Sequence, residues 1–396
     1  TLTCHGQGIP FARASISSAA RQFTSLTPLM THPLNRDAHR MKLGVMAFNC
    51  SRGSTVTLDE RAWLMTWQDN VRLAQMADEA GFEALLPVGR WKGYGGASNF
   101  NHRTFESFTW AAGIAAKTNQ IGVLATVHAP LVHPVTAAKQ AATIDHIADG
   151  RFALNLVCGW NRPEFEMFGV ELNDHARRYE YAAEWLTFVR KLWNAEDEFN
   201  FDGEFFQGRK IWSQPKPVQA NVPVMNAGSS ATGQAFSAKH CDMNFVMLRQ
   251  QDHASDVAQI QHLKQMAHTS GRKSQCWIHA YVACANSEQA ARDYLDDYVR
   301  EHGDWDTATR MVELFGLESN SLAPEVLEAF KYHFIAGHGG YPLVGTPDQI
   351  VEEVGRLAEM GVDGLLLSWL DYLGECQLWI DEVMPRLQAA GLRVQT

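Results

Sequence analysis

Ile121-Gly-Val-Leu-Ala-Thr-Val-His-Ala-Pro-Leu-Val-His-Pro-Val-Thr-Ala-Ala-Lys-Gln-Ala-Ala-Thr-Ile-Asp-His-Ile-Ala-Asp-Gly-Arg-Phe-Ala-Leu-Asn-Leu-Val157 holds a strand, a helix and a second strand in one continuous stretch. The apolar run Ile121 to Val127 has the length of a buried strand. Pro134 opens a helix reaching Ala148, at a first-turn position where its missing N–H costs nothing. Gly150 ends it, and Phe152 to Val157 is the next apolar run. A strand, a helical crossover and another buried strand make the basic unit of a parallel sheet.

The same alternation extends both ways. Upstream lie a first strand at Met41–Asn49, a helix at about Thr66–Ala80 stopped by Gly81, a second strand at Glu83–Val88, and a helix at about Thr104–Lys117. Downstream come a long helix from Arg177 to Trp193 and an insertion, Glu196 to Pro217, rich in Phe, Gly and Pro. Further strands are expected at Val222–Asn226, Asp242–Leu248, Cys276–Ala283 and Gly364–Trp369. Helices are expected from Ala231, to about His268, at Ser287–Val299, at Thr346–Met360, and at the end to about Leu392. A second excursion, Asp304 to Tyr341, reads as partly helical and ends in Gly337-His-Gly-Gly340. Eight such units predict a (β/α)8 TIM barrel with insertions after the fourth and seventh strands. A Rossmann sheet is the runner-up, but no Gly-x-Gly-x-x-Gly follows the first strand.

Composition narrows the function. The 396 residues are 46% hydrophobic and carry a formal net charge of −10. An acidic surface disfavours a general nucleic-acid binder, because phosphate binding needs a basic face. No apolar run approaches a membrane span. The seven cysteines are scattered without a CxxC pair, which points to a reducing, cytoplasmic setting and away from disulfides or zinc. Residues 1–40 are Ser/Thr-rich, with Asp37 the only acid. That composition suits a transit peptide, a disordered extension, or residues upstream of a start at Met41. The extension is the reading adopted, with the barrel domain spanning 41–396.

In a barrel of this kind the chemistry sits at the C-terminal strand ends. These are Gly89-Arg-Trp-Lys-Gly-Tyr-Gly-Gly96, Thr126-Val-His128, Asn155 with Cys158-Gly-Trp-Asn-Arg-Pro-Glu164, Asn226-Ala-Gly-Ser-Ser230 and Ser368-Trp-Leu-Asp371. Converging amides, hydroxyls and aromatics suit a planar heteroaromatic cofactor with a phosphate tail. Ser229 and Ser230 open the helix at Ala231, where free N–H groups make a phosphate seat. Locally, a plain helix cap explains them equally well. Arg177-Arg-Tyr179 offers cationic and phenolic partners, against the commoner outcome of solvated arginines. His102, His128, His133 and His146 are too dispersed to define a metal site, so none is expected. Gly337–Gly340 reads either as a lid hinge or as a surface loop.

The stretch Ala141 to Glu166 closely resembles the luciferase-like flavin monooxygenases, nearest the pyrimidine oxygenase and dimethyl-sulfone monooxygenase branch. So do Lys92-Gly-Tyr-Gly-Gly96, Arg177-Arg-Tyr179, Ala227-Gly-Ser-Ser230 and Val344-Gly-Thr346, in order across about residues 41–390. The resemblance implies an enzyme that takes reduced FMN from a separate NAD(P)H-dependent flavin reductase and uses O₂ to oxygenate a small organic substrate. It also implies a homodimer or homotetramer. Carried across, Asn155 and Thr126 flank the reactive side of the flavin. Val88 stands where the pyrimidine oxygenases have Met, and Gly89 and Arg90 lie along the ring. Glu164, Arg178 and Tyr179 hold the cofactor, and Ser230 binds its phosphate. A deazaflavin-dependent dehydrogenase of the same superfamily and a non-catalytic flavin-binding relative are the alternatives.

Overall fold

The computed structural model describes residues 32–36, 38–248, 252–315 and 324–394. In chain order, β1 (Lys42–Met46) leads through a long loop to α1 (Trp67–Glu79). Then come β2 (Ala84–Leu86), α2 (Ser107–Ala115), β3 (Gly122–His128), α3 (Pro134–Ile147) and β4 (Phe152–Val157). The short α4 (Arg162–Phe168) and the long α5 (His175–Asn194) precede a hairpin of β5 (Phe199–Asp202) and β6 (Gln207–Ile211). β7 (Val224–Asn226), α6 (Ala231–His240), β8 (Met243–Val246), α7 (His253–Thr269) and β9 (Gln275–Cys284) follow. The helix α8 (Glu288–Asp296) comes next, and the excursion after it holds α9 (Trp305–Leu314) and α10 (Pro324–Gly337). β10 (Tyr341–Gly345), α11 (Pro347–Met360), β11 (Gly364–Ser368), α12 (Tyr372–Leu378) and α13 (Met384–Ala389) complete the chain.

The strands β1, β2, β3, β4, β7, β8, β9 and β11 pair in that order, all parallel, and β11 returns to β1. This is the expected (β/α)8 barrel. Its helices start where the sequence supplies caps. Thr66 accepts from Asp69 N–H, Ser230 from Gly233 N–H, and Thr346 with Gln349 forms a reciprocal capping box. The register that matters for the site is local: Thr126 of β3 lies directly opposite Asn155 of β4.

Three elements depart from the sequence reading. Arg162–Phe168 is a separate helix where only a loop was expected. Tyr341–Gly345 is a strand, parallel to Ala280–Cys284 of β9 and outside the closed barrel, where the excursion was expected to end. Residues 32–40, grouped by composition with the N-terminal extension, are folded against the barrel wherever described. Leu34 is fully buried with Leu86, Leu124, Met225, Trp277 and Leu366 inside the strands. Gln275 Nε2 donates to Leu34 O at 2.7 Å, and a ring nitrogen of His32 lies 3.2 Å from Phe152 O. Burying a leucine this way contributes about 1.5–3 kcal/mol, so the segment is a plug rather than a tail. The rest of the expected extension, residues 1–31 and Asp37, lies outside the described residues. Among those described, no helix is long and apolar enough to cross a membrane, and six cysteines carry free thiols.

Candidate active site

A cavity of about 430 Å³ opens at the C-terminal ends of the strands. One wall comes from β2, β3, β4 and the loop before α6, and includes Val88, Gly89, Arg90, Thr126, Asn155 and Ser229. Facing it is a wall from β8, β9 and α10, including Met247, Ile278, Phe330, Phe334 and His338.

The hydrogen bonds of the first wall have a fixed direction. Thr126 Oγ1 lies 2.6 Å from Pro87 O, an acceptor only, so the hydroxyl donates there. Its oxygen then accepts from Asn155 Nδ2 at 3.0 Å. The amide cannot turn over without putting Oδ1 against an oxygen whose proton is already committed. Asn155 Oδ1 is thereby left as a buried acceptor with no protein partner. Asn49 steadies the strand end behind it, accepting from Val88 N–H at 2.8 Å and donating to Val88 O at 2.9 Å. A Cβ on Gly89 would come within 3.0–3.1 Å of Thr126, so the two strand ends need a small residue there.

Four of the expected residues stand behind the cavity rather than on its surface. Glu164, with no exposed surface, accepts from the N–H groups of Trp91 (2.7 Å) and Lys92 (3.2 Å) and pairs with Arg90 at 3.3 Å. It therefore shapes the strand-two loop, and its second oxygen, Oε2, has no partner. Arg178 donates to Gly159 O and leaves a buried Nε unpaired. Tyr179, whose phenol is pushed up mainly by burial, faces Ser230, and Ser230 caps α6. Gly228 and Gly233 meet with almost no clearance. A Cβ on Gly233 would sit 2.5 Å from the Tyr179 hydroxyl and 2.7 Å from Gly228 Cα. The open amino end of α6 is thus drawn beneath Tyr179.

Sequence reasoning missed a collar of side chains around the cavity. The Arg90 guanidinium lies over Tyr94 (5.0 Å) and Trp160 (5.1 Å), and Trp160 stacks on Phe315 at 4.8 Å and 19°. Phe315 touches His338 (6.2 Å), His338 touches Phe100 (5.8 Å), and Phe100 stacks on Tyr94 (5.7 Å), closing the ring. The Gly337–Gly340 run is packed tightly: a Cβ on Gly337 would sit 2.4 Å from Tyr281 Cβ and 2.7 Å from its ring. His338 is held at φ +50°, a left-handed conformation uncommon for histidine, with its ring in the collar. The signal that could have located it is a non-glycine residue set between glycines directly after a helix.

His128, His279 and His338 all line the cavity, and burial lowers them to about 4, about 3 and about 4. Each folded value lies below the unfolded one of about 6.5, so over that interval the folded protein binds fewer protons than the unfolded chain. Stability is therefore present above pH 6.5 and is lost as pH falls toward 4. Thermal midpoints should drop across that window, and a flat profile there would refute the neutral-histidine assignment. Among the described residues, Asp59, Asp297 and His302 approach one another as metal donors, but Arg61 bridges both carboxylates.

The family model of luciferase-like monooxygenases matches residues 41–364. Pyrimidine monooxygenase RutA of Serratia proteamaculans is 30% identical over 354 residues, 88% of this chain and 96% of that protein. RutA of Acinetobacter baylyi is 30% identical over 351 residues, covering 87% and 94%. The crystal structure of DmoA from Hyphomicrobium sulfonivorans superposes with a TM-score of 0.79 at 19% identity, over 90% of this chain and 89% of that one, a likeness of fold. A family match across most of the barrel, with relatives aligned along nearly their whole length, makes the assignment: this chain belongs to the luciferase-like monooxygenases, flavin-dependent oxidoreductases.

Proposed function

We propose that this enzyme uses reduced FMN, delivered by a separate NAD(P)H-dependent flavin reductase, to place one oxygen atom from O₂ in a small organic substrate. That substrate is an N-heterocycle such as a pyrimidine, or a sulfone or sulfonate, and the working form is a homodimer or homotetramer. The observation that carries the reading is the unpartnered Asn155 Oδ1, buried on the same cavity wall as the loop that opens α6. The residues present suit the group. Asn155 Oδ1, Glu164 Oε2 and Arg178 Nε are buried without partners, and the first N–H groups of α6 have none within the helix.

Bound flavin would supply the electrons that activate O₂. The protein's own contribution is binding, orientation and dryness. Asn155 Oδ1 would accept from a ring N–H, held by Thr126 and ultimately by Pro87 O. Val88 and Gly89 would lie along the ring, with Arg90 kept in place by Glu164. The phosphate would take the N–H groups at the mouth of α6, with the hydroxyls of Ser229, Ser230 and Tyr179 and the Arg178 cation nearby. The aromatic collar would keep bulk water from the reacting atoms.

Titration with reduced FMN and reduced FAD under anaerobic conditions tests the cofactor, and FMN is expected to bind more tightly. Ser230→Ala should weaken FMN by about 1–2 kcal/mol while leaving turnover near normal at saturating flavin. Tighter FAD binding, or reduction of a deazaflavin by substrate without O₂ uptake, would overturn the reading.

A further inference from the structure

We propose that the substrate side of the cavity selects uncharged, largely apolar molecules and rejects anions, which narrows the substrate to a neutral heterocycle or sulfone and away from sulfonates and carboxylates. This rests on the proposed oxygenase reading of the same site. The wall facing Asn155 is built from Met247, Ile278, Phe330 and Phe334, with His279 and His338 as its polar members. Among the described residues lining the cavity, Arg90 is the only one with a permanent charge. That charge is already offset: Glu164, with no exposed surface, pairs with it at 3.3 Å, and the Tyr94 and Trp160 rings lie 5.0 and 5.1 Å from it, so what it still offers is one buried N–H, at Nε, without a partner.

The histidines do not supply a second cation. His279 is tied by a ring nitrogen to Ser368 Oγ at 2.7 Å, and His338 is wedged among Phe100, Phe315 and Phe334. Burial holds both neutral well below pH 6. A sulfonate entering here would lose its hydration and meet aromatic rings, and among the described lining residues no countercharge stands free of an acidic partner to replace the water. A neutral sulfone or heterocycle loses far less. Its one or two polar atoms can face His338, whose Nδ1 is buried without a partner.

Phenyl methyl sulfone and benzenesulfonate have nearly the same shape and differ in charge. Calorimetric titration of both into anaerobic protein loaded with reduced FMN reads the preference directly. Wild type should bind the sulfone about a hundredfold more tightly than the sulfonate, as expected for a buried, unpaired charge. Phe330→Arg puts a cation on the same wall at a half-buried position of α10, and an unchanged thermal midpoint checks that the variant is folded. It should narrow that ratio by at least about tenfold. Equal or tighter sulfonate binding by wild type, no binding of either probe, or an unchanged ratio in Phe330→Arg would overturn the inference. Retention of reduced FMN in the same samples separates the two claims. With FMN bound, those results count against charge selection alone; without it, the oxygenase reading fails and the inference falls with it.

Discussion

Replacing Asn155 with alanine is expected to lower product formation by about 10²–10³, the cost of losing one preorganised polar contact in an enclosed site. Reduced FMN should still bind within about tenfold of wild type, since the phosphate contacts are untouched. O₂ uptake should continue, with hydrogen peroxide replacing oxygenated product. The competing view makes Asn155 a structural amide whose loss costs about 1–3 kcal/mol of folding. The hydrogen bonds argue otherwise. Asn155 spends one donor on Thr126 and leaves its carbonyl oxygen buried and unpartnered, a poor arrangement for an amide serving only the fold. Thr126→Ala should show the same uncoupling, because the amide loses the group that fixes its orientation. The ratio of peroxide to oxygenated product, measured with a neutral substrate and a flavin reductase, reads the effect. Oxygenation by Asn155→Ala at the wild-type rate would remove Asn155 from the active site even though the barrel stands.

The barrel was legible because its strands and helices are local patterns. Ile121–Val127 and Phe152–Val157 are continuous apolar runs around a helix that Pro134 and Gly150 delimit, and no long-range information is needed to read them. Thr126 and Asn155 were legible for the same reason, since a residue near a strand's C-terminal end faces the mouth once the barrel is granted. What escaped is non-local or too short. Arg162–Phe168 spans barely two turns, too few for a helical period to show. Tyr341-Pro-Leu-Val-Gly345 contains a proline, which argues against a central strand; it is tolerated because the strand lies at the sheet's edge. The collar joins Trp160 to Phe315 and Phe100 to His338, pairs that no sequence spacing announces. Glu164 was named for the cofactor through resemblance alone. The structure adds what it does meanwhile, which is to gather the N–H groups of Trp91 and Lys92.

The N-terminal face of the barrel carries the largest expected effect on stability. Arg393 is 3% exposed and donates to both oxygens of Glu83, at 2.9 and 3.0 Å, and to the carbonyls of Met41 and Gly81. Glu83 has no exposed surface and also accepts from Leu43 N–H at 2.8 Å, while His39 lies 3.4 Å away. One guanidinium thus joins the last turn of the chain to the first two strands, and it neutralises a carboxylate that water cannot reach. Arg393→Met keeps much of the volume but strands that charge, so about 3–5 kcal/mol of stability should be lost. The loss should depend on pH. His39 lies below its ordinary value mainly because of burial, with Arg393 adding to the depression and Glu83 opposing it. In Arg393→Met the imidazole is freer to take a proton and stand in for the missing cation, so the deficit should be larger at pH 8 than at pH 6. Glu83→Gln added to Arg393→Met removes the stranded charge and should recover part of the loss. Thermal or urea unfolding of the three proteins at both pH values reads all of this. Reduced-FMN affinity should stay at the wild-type level throughout, because this face lies at the opposite ends of the strands from the cavity. A pH-independent deficit, or a double variant no more stable than Arg393→Met, would mean that Arg393 acts through packing rather than through the charge of Glu83.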